Sequence, residues 1–186
     1  MPAGVSCIYV RQPLALGLDH AVLCAKPVVG NEPFAVLLPD DLVDAKHSCI
    51  GQLMAVRDAQ CGGSVLAGQD VAPEATNKYG IVSVDDTSAQ TSQMRGIVEK
   101  PGPKVAPSHR AVIGRYVFEP EIFDYLAKVA PGVGGEIQLT DGIASSLAEV
   151  PTFSHRFEGT RFDCGSKQGF LDATIHFARK RGFKIN

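Results

Sequence analysis

The sequence lacks the marks of several specialised settings. No apolar run is long enough to cross a bilayer, so no membrane span is expected. No charged start leads into an apolar stretch with a small-residue cleavage site, so no signal peptide is expected either. The five cysteines, Cys7, Cys24, Cys49, Cys61 and Cys164, form no CxxC pair. An odd number without paired spacing argues against a zinc site or a disulfide framework and for a reduced, cytoplasmic compartment. Charge of one sign is also missing: 18 Lys and Arg face 20 Asp and Glu, for a formal charge of −2. With no basic run and no basic–aromatic interleaving, the footprint of a nucleic-acid binder is absent. The short patch Arg179, Lys180, Arg181 reads as the last turn of a helix, where cations suit the negative end of the dipole. Internal repeats, low-complexity segments and long linkers are absent too, which leaves residues 1–186 as a single domain.

What is present suits a soluble globular chain. At 45% hydrophobic residues the apolar content is too high for disorder. A compact chain of this size buries roughly 70% of the surface it exposes when unfolded. Residues 5–10 (VSCIYV) read as a buried strand and residues 20–26 as a short helix stopped by Pro27. Residues 34–38 (FAVLL) read as a central strand, and Asp44 can cap a helix through about Gln60, ended by Gly62 and Gly63. Residues 64–67, 80–84, 95–98 and 111–118 read as further strands, the middle two as a hairpin around the polar stretch 85–93. Helices are expected at 120–128 and 136–148. Residues 152–162 alternate as one strand with Phe153, His155 and Phe157 on one face. A last helix follows Gly165, with Leu171, Thr174, Ile175 and Ala178 on one face. Interleaved strands and helices give an α/β class: a mixed, mostly parallel sheet with flanking helices.

Four segments can carry chemistry. In Leu37-Leu38-Pro39-Asp40-Asp41 an apolar strand ends in paired acids, at the sheet edge where open α/β sheets bind ligands. A carboxylate there can hold Mg²⁺, or it can simply make a turn or helix cap. In Glu99-Lys100-Pro101 an acid and a base leave a strand together; at a strand end both can reach one ligand, though an exposed ion pair explains them equally well. Glu136 opens a helix after a glycine turn, where acid complements the dipole. Asp163 stands at a strand end before Gly165 and Lys167, as a second metal carboxylate or a helix cap.

Taken singly these segments are indecisive; their order is specific. Gln12 and the run Leu16-Gly17-Leu18-Asp19-His20-Ala21-Val22, then LLPDD, Tyr79-Gly80-Ile81-Val82, VEKP, Val112-Ile113-Gly114-Arg115-Tyr116, GGEIQLTD and FEGTRFDCGSK resemble the UTP–glucose-1-phosphate uridylyltransferase family from about Tyr9 to Ala178. That resemblance implies a nucleotidyltransferase (Rossmann-like) fold, incomplete at its N-terminal end. It also implies transfer of UMP from UTP to glucose 1-phosphate, giving UDP-glucose and pyrophosphate. Asp40 is then the main metal ligand and, with Lys100, catalytic; Asp163 is a second ligand of Mg²⁺. Glu99 takes glucose hydroxyls, Lys100 the sugar-linked phosphate, and Glu136 and Lys167 also serve the sugar phosphate. Gly80 and Gly114 let the backbone approach the hexose, where a Cβ would intrude. Gln12, Gly17, Asp19 and His20 lie by the uracil. The family also implies a homo-oligomer.

Two departures from the family stand out. Asp19 replaces a family glycine, which adds a side chain and a charge beside an anionic ligand and is expected to weaken nucleotide binding. The basic, glycine-rich loop that opens family members is not found ahead of the first strand. The chain is therefore read as N-terminally truncated and is expected to form little UDP-glucose alone. The alternative is a non-catalytic sugar-phosphate-binding or oligomerisation remnant.

Overall fold

A computed structural model describes residues 4–130 and 137–184. The apolar run after Pro33 forms β1 (Phe34–Leu37), which pairs antiparallel with the long strand β6 (Arg110–Phe118). β6 lies between β1 and β3 (Ser64–Asp70), antiparallel to both. Beyond β3 come β7 (Thr152–Arg156), β5 (Thr91–Glu99) and β4 (Gly80–Val84). A pairing of Ile81 with Ala111 links β4 back to β6.

Among the described pairings only β3–β7 is parallel, so the sheet is mixed but not mostly parallel as expected. For β4 and β5 the reason is connection length: the short turn at 85–90 can only fold β5 back on β4, whereas parallel neighbours need a crossover of a dozen or more residues.

Period-two alternation splits the core in two. Leu66 of β3 and Val112, Tyr116 and Phe118 of β6 face one side. They pack there under α1 (Leu18–Leu23), α4 (Ile122–Leu126) and α5 (Leu139–Ser146). Val65 and Ala67 of β3 and Ile113 and Val117 of β6 face the other side, against Cys49 and Leu53 of α3 (Cys49–Ala59). Both faces of β6 are therefore covered, which is why AVIGRYVF is apolar without a polar stripe.

Several elements differ from the sequence reading. Residues 5–10 form no strand: Val5, Ile8, Tyr9 and Val10 are exposed, and no described strand lies alongside to complete a ladder. Pro27 does not stop the first helix, which ends at Leu23, but lies in the first turn of a second short helix, α2 (Lys26–Val29), where proline fits. Asp44 caps no helix. It ends β2 (Asp41–Asp44), which is held extended against β8 (Thr160–Asp163) in a separate two-stranded ribbon. The cap of α3 is Ser48, whose Oγ accepts from the Gly51 N–H at 3.1 Å. The expected single strand at 152–162 breaks into β7 and β8 at Gly159. Its φ of 142° and a Cβ position 2.8 Å from the Asp44 carbonyl admit no side chain. Finally α6 (Lys167–Lys180) does not bury the Leu171 face, which is half exposed. It docks on the ribbon through Ala173, through the His176 and Phe177 rings against Phe162, and through His176 and Lys180 on the Asp44 carboxylate.

Candidate functional site

A cleft of about 360 Å³ opens past the end of β1, at the start of β4 and the end of β5, over the middle of β6, near α5 and the ribbon. Asp40, Gly80, Glu99, Lys100 and Gly114, each singled out in the sequence, line it together. They arrive from four separate segments of the chain.

The paired acids after β1 have different tasks. Both Asp41 oxygens are taken by the protein: Oδ2 accepts from the Gly114 N–H at 2.8 Å and Oδ1 from Arg161 Nε at 2.5 Å. Arg115 adds bonds to the Leu38 carbonyl at 2.7 Å and to the Asp41 carbonyl, which fixes the whole turn. Asp40, beside it, is exposed. The ribbon brings the second acid to the same place. Asp163 pairs with Asp41 across β2–β8, and the Cys164 N–H donates to the Asp40 carbonyl at 2.7 Å. A Cβ placed on Gly165 would lie 3.1 Å from Asp163 Oδ1 and 3.5 Å from Asp40 Oδ2, so both carboxylates flank one spot. No group of three His, Cys, Asp or Glu converges among the described residues. Mg²⁺ does not need one, because it binds through one or two carboxylates and fills its other positions with water and phosphate. The Asp40–Asp163 pair therefore fits it.

Glu99 and Lys100 reach one cleft because the strand ends between them. Lys100 has φ of 46°, a left-handed conformation unusual for a residue with a side chain, and it breaks the up–down alternation of β5. Its N–H donates to the Tyr79 carbonyl at 2.9 Å and its Nζ lies 3.4 Å from Glu99 Oε1. Strained backbone of this kind clusters where ligands are clamped.

The glycines are required by their protein neighbours first. A Cβ on Gly80 would meet Thr140 Cγ2 at 2.9 Å, and one on Gly114 would meet Asp41 Oδ2 and Leu38 Cβ at 2.7 Å. Gly17 (φ 100°, ψ −179°) holds a conformation open only to glycine, just before α1. Gln12 Nε2 donates to the Gly17 carbonyl at 3.0 Å and lies 3.0 Å from His20 Nδ1, so these three candidates form one cluster. Leu18, next to it, lines the cleft.

Asp19 does not join them. One step round the helix from Leu18, it is fully buried against α5, with Oδ2 3.0 Å from where a Gly142 Cβ would be. Both its oxygens lack hydrogen-bond partners among the described residues. Burial, and then the Asp141 charge, push its carboxyl up to about 6. Its carboxyl is therefore packed inside the fold against α5 and does not join the Gln12–Gly17–His20 cluster. Lys167 sits exposed at the start of α6 and does not line the cleft. Glu136 lies outside the described residues.

Arg161, Tyr79, Tyr116 and Thr140 also line the cleft and were not singled out by the sequence. Arg161 is mostly covered; desolvation opposes its charge, but hydrogen bonds to Tyr79 (3.3 Å) and Asp41 outweigh that and raise its pKa. Its position was legible: two residues before Asp163 on a strand is the same face. The pKa of the Tyr116 hydroxyl is pushed up by burial and then by the negative charges of Asp41, Glu99 and Asp40.

Chemically, the cleft offers the Asp40 carboxylate, with Asp163 beside Asp40 but outside the lining, an acceptor for hydroxyl groups in Glu99 and a cation for a phosphate in Lys100. Residues 2–180 match the family described as nucleotidyl transferase. A UTP–glucose-1-phosphate uridylyltransferase of Komagataeibacter xylinus is 51% identical over 148 residues, which is 80% of this chain and 52% of that relative. One from Bacillus subtilis (strain 168) is 45% identical over 170 residues, 91% of this chain and 58% of that relative. A UDP-glucose pyrophosphorylase solved in complex with UDP-glucose superposes with a TM-score of 0.86 at 36% identity, covering 93% of this chain and 66% of that one. A UTP-bound UGPase from Acinetobacter baumannii gives 0.84 at 40% identity, covering 95% and 61%. The chain thus spans little more than half the length of the curated relatives it matches, 52% and 58% for the two named.

Proposed function

We propose, from the premise that this chain belongs to the nucleotidyl transferase family, that it forms the sugar-phosphate and metal side of a UTP–glucose-1-phosphate uridylyltransferase. The observation that carries this reading is the meeting of Asp40, Glu99 and Lys100 in one cleft, beside two glycines that have no room for a Cβ.

In this reading glucose 1-phosphate lies with its hydroxyls on Glu99 and its phosphate by Lys100. A phosphate oxygen attacks the α-phosphorus of UTP in line, UDP-glucose forms and pyrophosphate leaves. No covalent enzyme intermediate is needed, so the protein contributes position and charge neutralisation. Lys100, whose backbone is held by the Tyr79 carbonyl, offsets the phosphate charge. Asp40 and Asp163 would hold Mg²⁺, which screens the approach of one anion to another. Gln12, Gly17 and His20 stand on the nucleotide side. We further propose a cytoplasmic homo-oligomer; among the described residues no helix is long and apolar enough to cross a membrane.

Calorimetry of UDP-glucose binding in MgCl₂ tests the reading. The chain should bind it, and Lys100→Ala and Glu99→Gln should each weaken binding about 10-fold or more, since a hydrogen bond to a charged group contributes about 1.5–3 kcal/mol. No binding, or equal binding by all three proteins, would remove the cleft as the sugar site.

A further inference from the structure

We propose that Arg161 is a positioning residue for the metal carboxylates: it aims Asp163 at the spot shared with Asp40. The inference rests on the reading of Asp40 and Asp163 as Mg²⁺ ligands and adds the device that holds them together.

Arg161 and Asp163 are two residues apart on β8 and so share one face of the ribbon. The guanidinium is pinned at two points before it reaches Asp163. Nε donates to Asp41 Oδ1 at 2.5 Å, and Nη1 to the Tyr79 hydroxyl at 3.3 Å, with the Tyr79 ring 5.3 Å from Cζ. Asp41 is itself fixed by the Gly114 N–H. The remaining nitrogen, Nη2, stands 3.6 Å from Asp163 Oδ2. That is an ion-pair distance, not a hydrogen bond, so Arg161 orients the carboxylate without consuming the oxygen. Asp163 Oδ1 is steadied separately by the Gly165 N–H at 3.1 Å, on the side of Asp40. Asp41 is buried and Arg161 is nearly so, so their ion pair is poorly screened by water. A planar fork can serve three groups in fixed directions; the point charge of lysine cannot.

Mn²⁺ binding to the whole chain, followed by the loss of the free-ion electron paramagnetic resonance signal, tests this without requiring turnover. Arg161→Lys keeps the charge and removes the fork. It should weaken Mn²⁺ binding by roughly 10-fold, the lower end of what outer-shell partners of metal ligands contribute. The spectrum of the bound ion should also change, and the melting temperature should stay close to that of the parent. Tyr79→Phe, which removes a single hydroxyl, should weaken binding less, and it decides the matter if Arg161→Lys does not fold. Asp40→Asn should abolish binding. If Asp40→Asn abolishes it while the variant at Arg161, or Tyr79→Phe in its place, binds with parental affinity and spectrum, the role of Arg161 is refuted and the metal site stands. If Asp40→Asn binds as the parent does, the metal site fails and the inference fails with it.

Discussion

Replacing Asp19 by Asn should stabilise the chain at neutral pH and leave it unchanged in acid. Asp19 is fully buried between α1 and α5, has no hydrogen-bond partner among the described residues, and faces the Asp141 charge. Its pKa rises from 3.8 to about 6 on folding, so the folded state holds the proton more tightly than the unfolded chain. Between those two values the unfolded chain releases its proton first, and stability falls as pH rises. Above pH 6 the full penalty applies: a shift of about 2 units at 1.36 kcal/mol each is about 3 kcal/mol. Below about pH 4 Asp19 is neutral in both states and the penalty vanishes. Asn mimics the neutral form in shape and charge. At pH 7.5, Asp19→Asn should therefore melt about 6–12 °C higher, taking 2–4 °C per kcal/mol for a chain of this size. At pH 4 the two proteins should melt together. Thermal melts followed by circular dichroism across pH 4–8 measure the difference. A gain of equal size at both pH values, or none at pH 7.5, would refute the argument from a buried, unpartnered carboxylate.

The positive φ at Lys100 separates its backbone from its charge. Lys100→Gly and Lys100→Ala should lose UDP-glucose affinity equally, but the Gly variant should be more stable by about 1 kcal/mol, because only glycine relieves the left-handed conformation; urea midpoints read this. Gly114→Ala should destabilise by about 1–3 kcal/mol in the same assay, since its Cβ would press on Asp41 and Leu38 at 2.7 Å.

How much could be read beforehand depends on the range of the interaction. Local signals held in part: FAVLL is a strand, but at the edge of the described sheet and not central, while the hairpin expected around 85–93 closes sooner, at 85–90, and the exit of Glu99 and Lys100 from β5 follows from a strand end before proline. Pairing between distant segments did not announce itself. Asp44 has the composition of a helix cap, and only the approach of β8, more than a hundred residues later, makes it the end of a strand. The division of work between Asp40 and Asp41 was also hidden. It is set by Gly114 and Arg161, which meet Asp41 only in the folded chain. Asp19 shows the opposite case: helix phase, which the departure from the family motif did not reveal, packs it against α5.

The central claim is that one cleft holds a divalent ion against a hexose phosphate. Crystals of the chain grown with Mn²⁺ and glucose 1-phosphate test it by anomalous scattering. The account predicts a single strong peak between the carboxylates of Asp40 and Asp163, with the sugar phosphate beside Lys100. A peak on Asp41, a peak outside the cleft, or a hexose phosphate bound away from Glu99 and Lys100 would contradict it.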